Sequence, residues 1–184
     1  MAGKHTRALP GDPAHGVPSL ASMLRVNHAG EYGAQRIYAG QLAVLGKTAI
    51  GDELRHMAAQ EDVHLAAFNQ LLPQHGVRPT ALLPLWHLAG YALGVGSALL
   101  GEKAAMAATV AVESVITEHY DEQLQSGGLN DAGLQSKVQQ FRDEEMEHHD
   151  TGLAHDAESA PLYPVLTGAI RAICRGAIFL SKRI

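Results

Sequence analysis

Residues 141–150 read FRDEEMEHHD, a run that crowds acidic residues and two histidines into ten positions of a chain whose formal net charge is only −5. A charge run on a helix usually marks a solvated face. Here the spacing argues otherwise. Val138, Phe141, Glu145, His148 and Gly152 follow one another at steps of three and four, so Glu145 and His148 lie on the apolar stripe of a helix expected from about residue 130 to 156. A charge on such a stripe is costly to bury alone. Glu-x-x-His on a helix brings carboxylate and imidazole side by side, able to hold one metal ion together. Glu144, Glu147 and His149 fall to the flanks, where solvation is the simpler reading and support of a ligand the alternative.

The arrangement recurs. Residues 60–65 read QEDVHL, and Glu61 and His64 share an apolar face with Met57, Phe68 and Leu71. Two further carboxylates sit in apolar settings, Glu31 in VNHAGEYGA and Glu113 in ATVAVESVI. Glu31 precedes Glu61 by 30 residues and Glu113 precedes Glu145 by 32. The chain therefore repeats as helix with Glu, helix with Glu-x-x-His, helix with Glu, helix with Glu-x-x-His. That is the ligand order of a ferritin-like di-iron or di-manganese carboxylate bundle. Hard carboxylates with two imidazoles and no thiolate suit iron or manganese better than structural zinc.

Working outward, the spacing predicts helices over about 19–45, ending at Gly46, and over 48–72, ending before Pro73. A long third helix runs from Pro84 to about residue 124 without another proline, and SGGLND turns the chain with Asn130 as candidate N-cap. Pro161 and Pro164 precede a last helix over 165–181. No alternating strand is present, so the fold class is all-α: a four-helix bundle with a di-iron carboxylate centre plus a fifth, C-terminal amphipathic helix. Residues 1–18 are expected to be a flexible tail and 19–184 the single domain. The chain has 184 residues, 46% of them hydrophobic, enough for a sizeable core. Its acidic balance, with pI near 6.1, gives no sign of a nucleic-acid partner. Cys174 is the only cysteine, which excludes an internal disulfide framework and fits a reducing compartment. The first sixteen residues resemble neither a secretory signal nor a transit peptide, so a bacterial cytoplasmic origin is expected.

Two apolar stretches bear on function. Residues 82–101, LLPLWHLAGYALGVGSALLG, carry no formal charge and lead directly into the helix of Glu113. That ligand lies about 18 Å beyond the end of the stretch at 1.5 Å per residue. The stretch reads as partly inserted in a membrane leaflet or lining an apolar channel, with an ordinary buried helix or a full membrane span as the alternatives. Its Gly90 and Gly94 form a G-x-x-x-G, a signal of close helix packing. The C-terminal VLTGAIRAICRGAIFLSKRI sets Ile170, Ile173, Ala177 and Leu180 in a stripe flanked by Arg171, Arg175, Lys182 and Arg183. Such a basic amphipathic helix suits an anionic membrane surface or, equally, a core-packing face with a basic edge. An iron store would have little use for either stretch, whereas a di-iron oxygenase acting on a membrane lipid would use both.

The segments LRVNHAGEYGAQRIYAGQ, QEDVHLAAFNQLL, LWHLAGYALGVGSALLGEKAAMAATVAVESVITEHY and FRDEEMEHHDTGLAHDAESAPLYPVL together resemble the demethoxyubiquinone hydroxylase family of ubiquinone biosynthesis. The resemblance covers nearly everything from about residue 19 onward. It implies a di-iron monooxygenase that hydroxylates the ring of a polyprenylated methoxy-methyl-benzoquinol with O2. Glu31, Glu61, His64, Glu113, Glu145 and His148 match the family's six iron ligands, with Glu61 and Glu145 bridging. Glu61, His64 and Glu31 are then expected mainly on one iron, and Glu113, Glu145 and His148 on the other. The resemblance also implies two Fe ions per chain and NADH as external reductant; no G-x-G-x-x-G fingerprint is present. His119 and Tyr120 are candidate substrate-binding residues. The expected location is the cytoplasmic side of a bacterial cell membrane, peripherally attached, with a homo-oligomer or other quinone-biosynthesis proteins as candidate partners. The competing classes are a ferritin-like iron-binding or storage protein, another di-iron hydroxylase or a manganese catalase, and a non-catalytic quinone-binding module.

Overall fold

The computed structural model describes residues 18–184, so the tail expected over 1–18 lies, apart from Pro18, outside the described residues. Six α-helices account for most of them: α1 (Leu20–Leu45), α2 (Gly51–Gln74), α3 (Leu83–Leu99), α4 (Glu102–Gln125), α5 (Ala132–Ala154) and α6 (Tyr163–Ser181). A 3-10 turn at Ala157–Ser159 precedes α6, and no strand occurs among the described residues. The fold is all-helical.

Local chemistry sets the ends. Ser19 caps α1 by accepting the Ser22 N–H at 3.2 Å. The cap of α5 is Asp131, not the expected Asn130, because its extended backbone aims Oδ1 at the Leu134 N–H, 2.7 Å away. The start of α2 moves from about residue 48 to Gly51, since Thr48 is spent in a tight turn bonding back to the Leu45 carbonyl. That helix continues past Pro73 by one residue and closes in a Schellman turn: Gly76 takes φ +63° and the Val77 N–H reaches the Leu72 carbonyl. The last helix begins at Tyr163, earlier than expected, because Pro164 falls in its first turn, where no backbone N–H is required.

The largest correction concerns the long third helix. It is two helices, α3 and α4, separated at Gly101, whose φ of 107° and ψ of 169° only glycine adopts readily. Hydrophobic periodicity runs smoothly through this point because a lone Gly is also tolerated inside helices. The break lets α3 leave the line of α4 and pack along α1. Main chains meet there. A Cβ on Gly94 would lie 2.0 Å from the Ile37 carbonyl oxygen, one on Gly90 2.8 Å from that of Gly33, and one on Gly40 2.4 Å from that of Tyr91. The G-x-x-x-G of α3 thus faces glycines of α1, the close approach that motif permits.

Short connections make α1–α2 and α4–α5 two antiparallel hairpins. One apolar cluster gathers Tyr38, Leu54, Met57, Met106 and Val110; another gathers Leu24, Phe68, Tyr120, Val138 and Phe141. On each of the four helices the charged position identified from the sequence lies between them. Outside this core, α3 covers α1 and α6 covers α4. The stripe expected on α6 is divided: Ile170 is buried, while Ile173 and Leu180 face outward, and Cys174 and Ala177 turn inward. The inner face is set by packing on α4, toward which the polar side chains of Arg171 and Arg175 also turn, so apolar spacing alone did not select it. By length and composition α6, with 19 residues, is long and apolar enough to cross a membrane, and little of it is buried in the fold.

Candidate metal centre

Glu31 on α1, Glu61 and His64 on α2, Glu113 on α4, and Glu145 and His148 on α5 converge in the middle of the bundle, each no more than 1% exposed. They fall into two overlapping sets whose candidate ligand atoms lie within 4.8 Å of one another. One set is Glu31, Glu61, His64 and Glu145; the other is Glu61, Glu113, Glu145 and His148. Glu61 and Glu145 belong to both. His64 Nδ1 lies 3.0 Å from Glu145 and 3.3 Å from Glu31, and His148 Nδ1 lies 3.2 Å from both Glu61 and Glu145.

Four buried carboxylates facing two imidazoles leave a surplus of negative charge that no Lys or Arg in the cluster offsets. The proton affinities record it. Burial, followed by the Glu145 charge, pushes Glu61 and Glu113 well above the ordinary carboxylate value of 4.5 and raises Glu31 as well. Burial also acts upward on Glu145, but the facing His148 and His64 imidazoles prevail and hold it at about 2. His64 is pushed down by burial and up, to about 11, by the facing Glu145 and Glu31 carboxylates. Glu31 Oε2, both Glu61 oxygens, Glu113 Oε2, Glu145 Oε2 and His148 Nδ1 are buried without a hydrogen-bond partner. Buried polar atoms seldom stand so. Six unpartnered donor atoms around one centre, on hard oxygen and imidazole ligands, fit two divalent cations whose charge balances four carboxylates.

Residues outside the expected set hold these six in place. Tyr38 Oη donates to Glu113 Oε1 at 2.7 Å, and Tyr120 Oη donates to Glu31 Oε1. His64 Nε2 faces Glu144 Oε2 at 2.5 Å, and His148 Nε2 faces Gln60 Oε1 at 3.0 Å. Glu144, for which solvation was the simpler reading, is therefore a partner of His64, and only Glu147 of the flanking residues is fully exposed. Neither Tyr38 nor Gln60 carries a signal in the sequence, since both act across helices.

An apolar cavity of about 240 Å³ lies between α1, α3, α4 and α6 and reaches Glu31 and Tyr120 at its inner end. Gly30, Leu93, Ile116 and Ala177 are among its walls, and Trp86 ties α3 to α6 by donating to Ser181 Oγ at 3.0 Å. His119 also lines it; its Nε2 is buried without a partner, and burial with the Lys182 charge pushes its pKa down to about 4. Cys174 lines the same cavity with its thiol pushed up to about 12 by burial and by the charge of Glu113.

Comparison with known proteins places the chain in a family. The family described as "Ubiquinone biosynthesis protein COQ7" matches residues 18–181. The chain is 55% identical over 169 residues to the NADPH-dependent 3-demethoxyubiquinone 3-hydroxylase, mitochondrial, of Rattus norvegicus, which covers 90% of this chain and 78% of that protein. It is 52% identical over 177 residues to the 3-demethoxyubiquinol 3-hydroxylase of Rhodospirillum rubrum, covering 96% and 83%. Identity to the 5-demethoxyubiquinone hydroxylase, mitochondrial, of Saccharomyces cerevisiae is 42% over 182 residues, covering 90% and 78%. With the match running from the first turn of α1 to the end of α6, the chain belongs to the COQ7 family of ubiquinone biosynthesis proteins.

Proposed function

We propose that the protein is a di-iron monooxygenase that hydroxylates the ring of a polyprenylated methoxy-methyl-benzoquinol, the demethoxyubiquinol of its relatives' names, with O2. The observation that carries this reading is the apolar cavity ending at Glu31 and Tyr120, on the edge of a buried cluster with two metal-sized ligand sets. Overall, one ring C–H becomes C–OH while the second oxygen atom leaves as water, which consumes two electrons and two protons. A nicotinamide supplies the electrons; the expectation was NADH, and the mammalian relatives' names print NADPH.

Glu31 and His64 would hold one iron, Glu113 and His148 the other, and Glu61 and Glu145 would be shared. When bound, the iron pair supplies the reducing power that activates dioxygen. The protein does the rest. Tyr38 and Tyr120 fix the orientation of the two unshared carboxylates. The cavity walls exclude water and present the quinol ring to the Glu31 side of the centre. His119, neutral at pH 7, offers the ring hydroxyl a partner in an otherwise apolar wall.

The substrate's tail points to a membrane. The outer faces of α3 and α6 expose Leu85, Leu88, Leu99, Val165, Ile173 and Phe179 on either side of the cavity. Arg171 and Arg175 turn instead toward α4, bonding Ser114 and Glu118, which leaves Lys182 and Arg183 at the basic end of α6. We place α3 and α6 on the bilayer surface, apolar faces down, so that the prenyl chain passes between them. In a bacterium this is the cytoplasmic side of the cell membrane.

The test is mass spectrometry of a short-chain demethoxyubiquinone analogue after incubation with iron-loaded protein, NADH or NADPH, and ¹⁸O2. One labelled oxygen in the product is expected. Oxygen consumption without labelled product would reject the substrate, and no consumption by protein carrying two irons would reject the oxygenase reading.

A further inference from the structure

The contacts around the six buried residues repeat under an approximate two-fold relation between the hairpins α1–α2 and α4–α5. Tyr38, seven residues after Glu31, bonds Glu113; Tyr120, seven residues after Glu113, bonds Glu31. Each histidine is held from behind by the residue immediately before the shared glutamate of the opposite hairpin. For His64 that residue is Glu144, next to Glu145; for His148 it is Gln60, next to Glu61. Among these paired contacts one chemical mismatch remains: a carboxylate behind one imidazole and a neutral amide behind the other.

Both partners orient their ring. In each case they face Nε2 and leave Nδ1 turned toward the carboxylates. Only Glu144 adds charge. A carboxylate behind an imidazole makes the ring a stronger donor to a cation on its far nitrogen, which an amide oxygen does not. Glu144 is itself held in position, since Gln140 Nε2 donates to its other oxygen at 2.9 Å. Glu31, the carboxylate beside His64, is also the one that borders the apolar cavity.

We infer that Glu144 is a positioning residue that makes the two metal positions unequal: the cavity-side position of Glu31 and His64 binds its ion more tightly than the position of Glu113 and His148. The inference rests on the two-metal reading above. The stronger donor set then fronts the substrate, and the cavity-side ion fills first.

The experiment is anaerobic titration of the metal-free full chain with ⁵⁷Fe(II), followed by Mössbauer spectroscopy at one and two equivalents. For the wild type, one equivalent is expected to give one dominant quadrupole doublet and two equivalents to add a second. In Glu144→Gln, which keeps the shape and an acceptor for His64, the first affinity should fall roughly 10- to 100-fold and one equivalent should spread over both doublets. Gln60→Glu should instead tighten the weaker position by a similar factor, and it carries the test alone should Glu144→Gln lose its helical ellipticity. Equal filling of both positions by the wild type, or variants that fill as the wild type does, would overturn the inequality while leaving two irons bound. A wild type that binds fewer than two irons would overturn the two-metal reading itself.

Discussion

Glu113 lies on α4 amid Ala108, Val110, Ala111 and Val112, with Tyr38 donating to its Oε1. Replacing it with alanine removes a candidate ligand and a desolvated acid together. Glu113→Ala should lose hydroxylation and bind fewer than two irons per chain by elemental analysis, while far-UV ellipticity stays unchanged. Full turnover with two irons would remove Glu113 from the ligand set. His119 makes a different prediction. Burial and Lys182 lower its pKa from 6.5 to about 4, so the folded protein keeps it neutral where the unfolded chain protonates it. The sign follows: stability is lost as pH falls from 6.5 toward 4, by up to about 3 kcal/mol at 1.36 kcal/mol per unit. His119→Phe should flatten that part of the curve in chemical denaturation measured between pH 4 and 7. An unchanged slope would show that His119 titrates normally. The charged positions themselves were legible from the sequence because six polar residues break apolar stripes at helical spacing. Their supporting partners were not. Tyr120 and Glu31 are 89 positions apart, Gln60 and His148 88, and Glu144 and His64 80.

At the scale of elements, the α1–α3 crossing is set by backbone contact. Gly94→Ala would place a Cβ 2.0 Å from the Ile37 carbonyl oxygen, and neither main chain can yield without moving a helix. A loss of roughly 1–3 kcal/mol in denaturant unfolding is expected, as for other overpacked sites. Because α3 forms a wall of the cavity, KM for the quinol should rise more than kcat falls. Gly101 is sensitive for another reason. Nothing lies within 4 Å of a Cβ built there, yet φ is +107°, so Gly101→Ala should cost about 1–3 kcal/mol through backbone strain alone. Equal stability of Gly101→Ala and wild type would mean that the α3–α4 break does not need this conformation. The sequence carried the glycine in plain view, but its φ is decided by where α3 must pack.

At the scale of the whole molecule, a bundle is built around a charge cluster that it cannot neutralise by itself. In the metal-free protein Glu31, Glu61 and Glu113 have raised pKa values, so the unfolded chain releases their protons first and stability falls as pH rises above 4.5. His64, raised to about 11, contributes stability that is complete below 6.5 and lost as pH rises toward 11. Glu145, held near 2, loses its contribution only as pH falls below 4.5. From pH 6.5 to 9 these contributions either fall or stay constant. The Tm of metal-free protein should therefore decline over that range, and the gain in Tm on adding Mn(II) should grow, because the ions replace protons. A gain independent of pH would mean that the cations bind elsewhere. The sequence by itself determined the helical class, the two Glu-x-x-His helices and the six converging residues, because burial of charge leaves a periodic mark along each helix. The tertiary structure alone decided that one long apolar helix becomes two, that α3 and α6 enclose a cavity, and that Glu144 stands behind His64. These depend on contacts between distant segments, and the geometry that joins them is encoded in no single stretch of the chain.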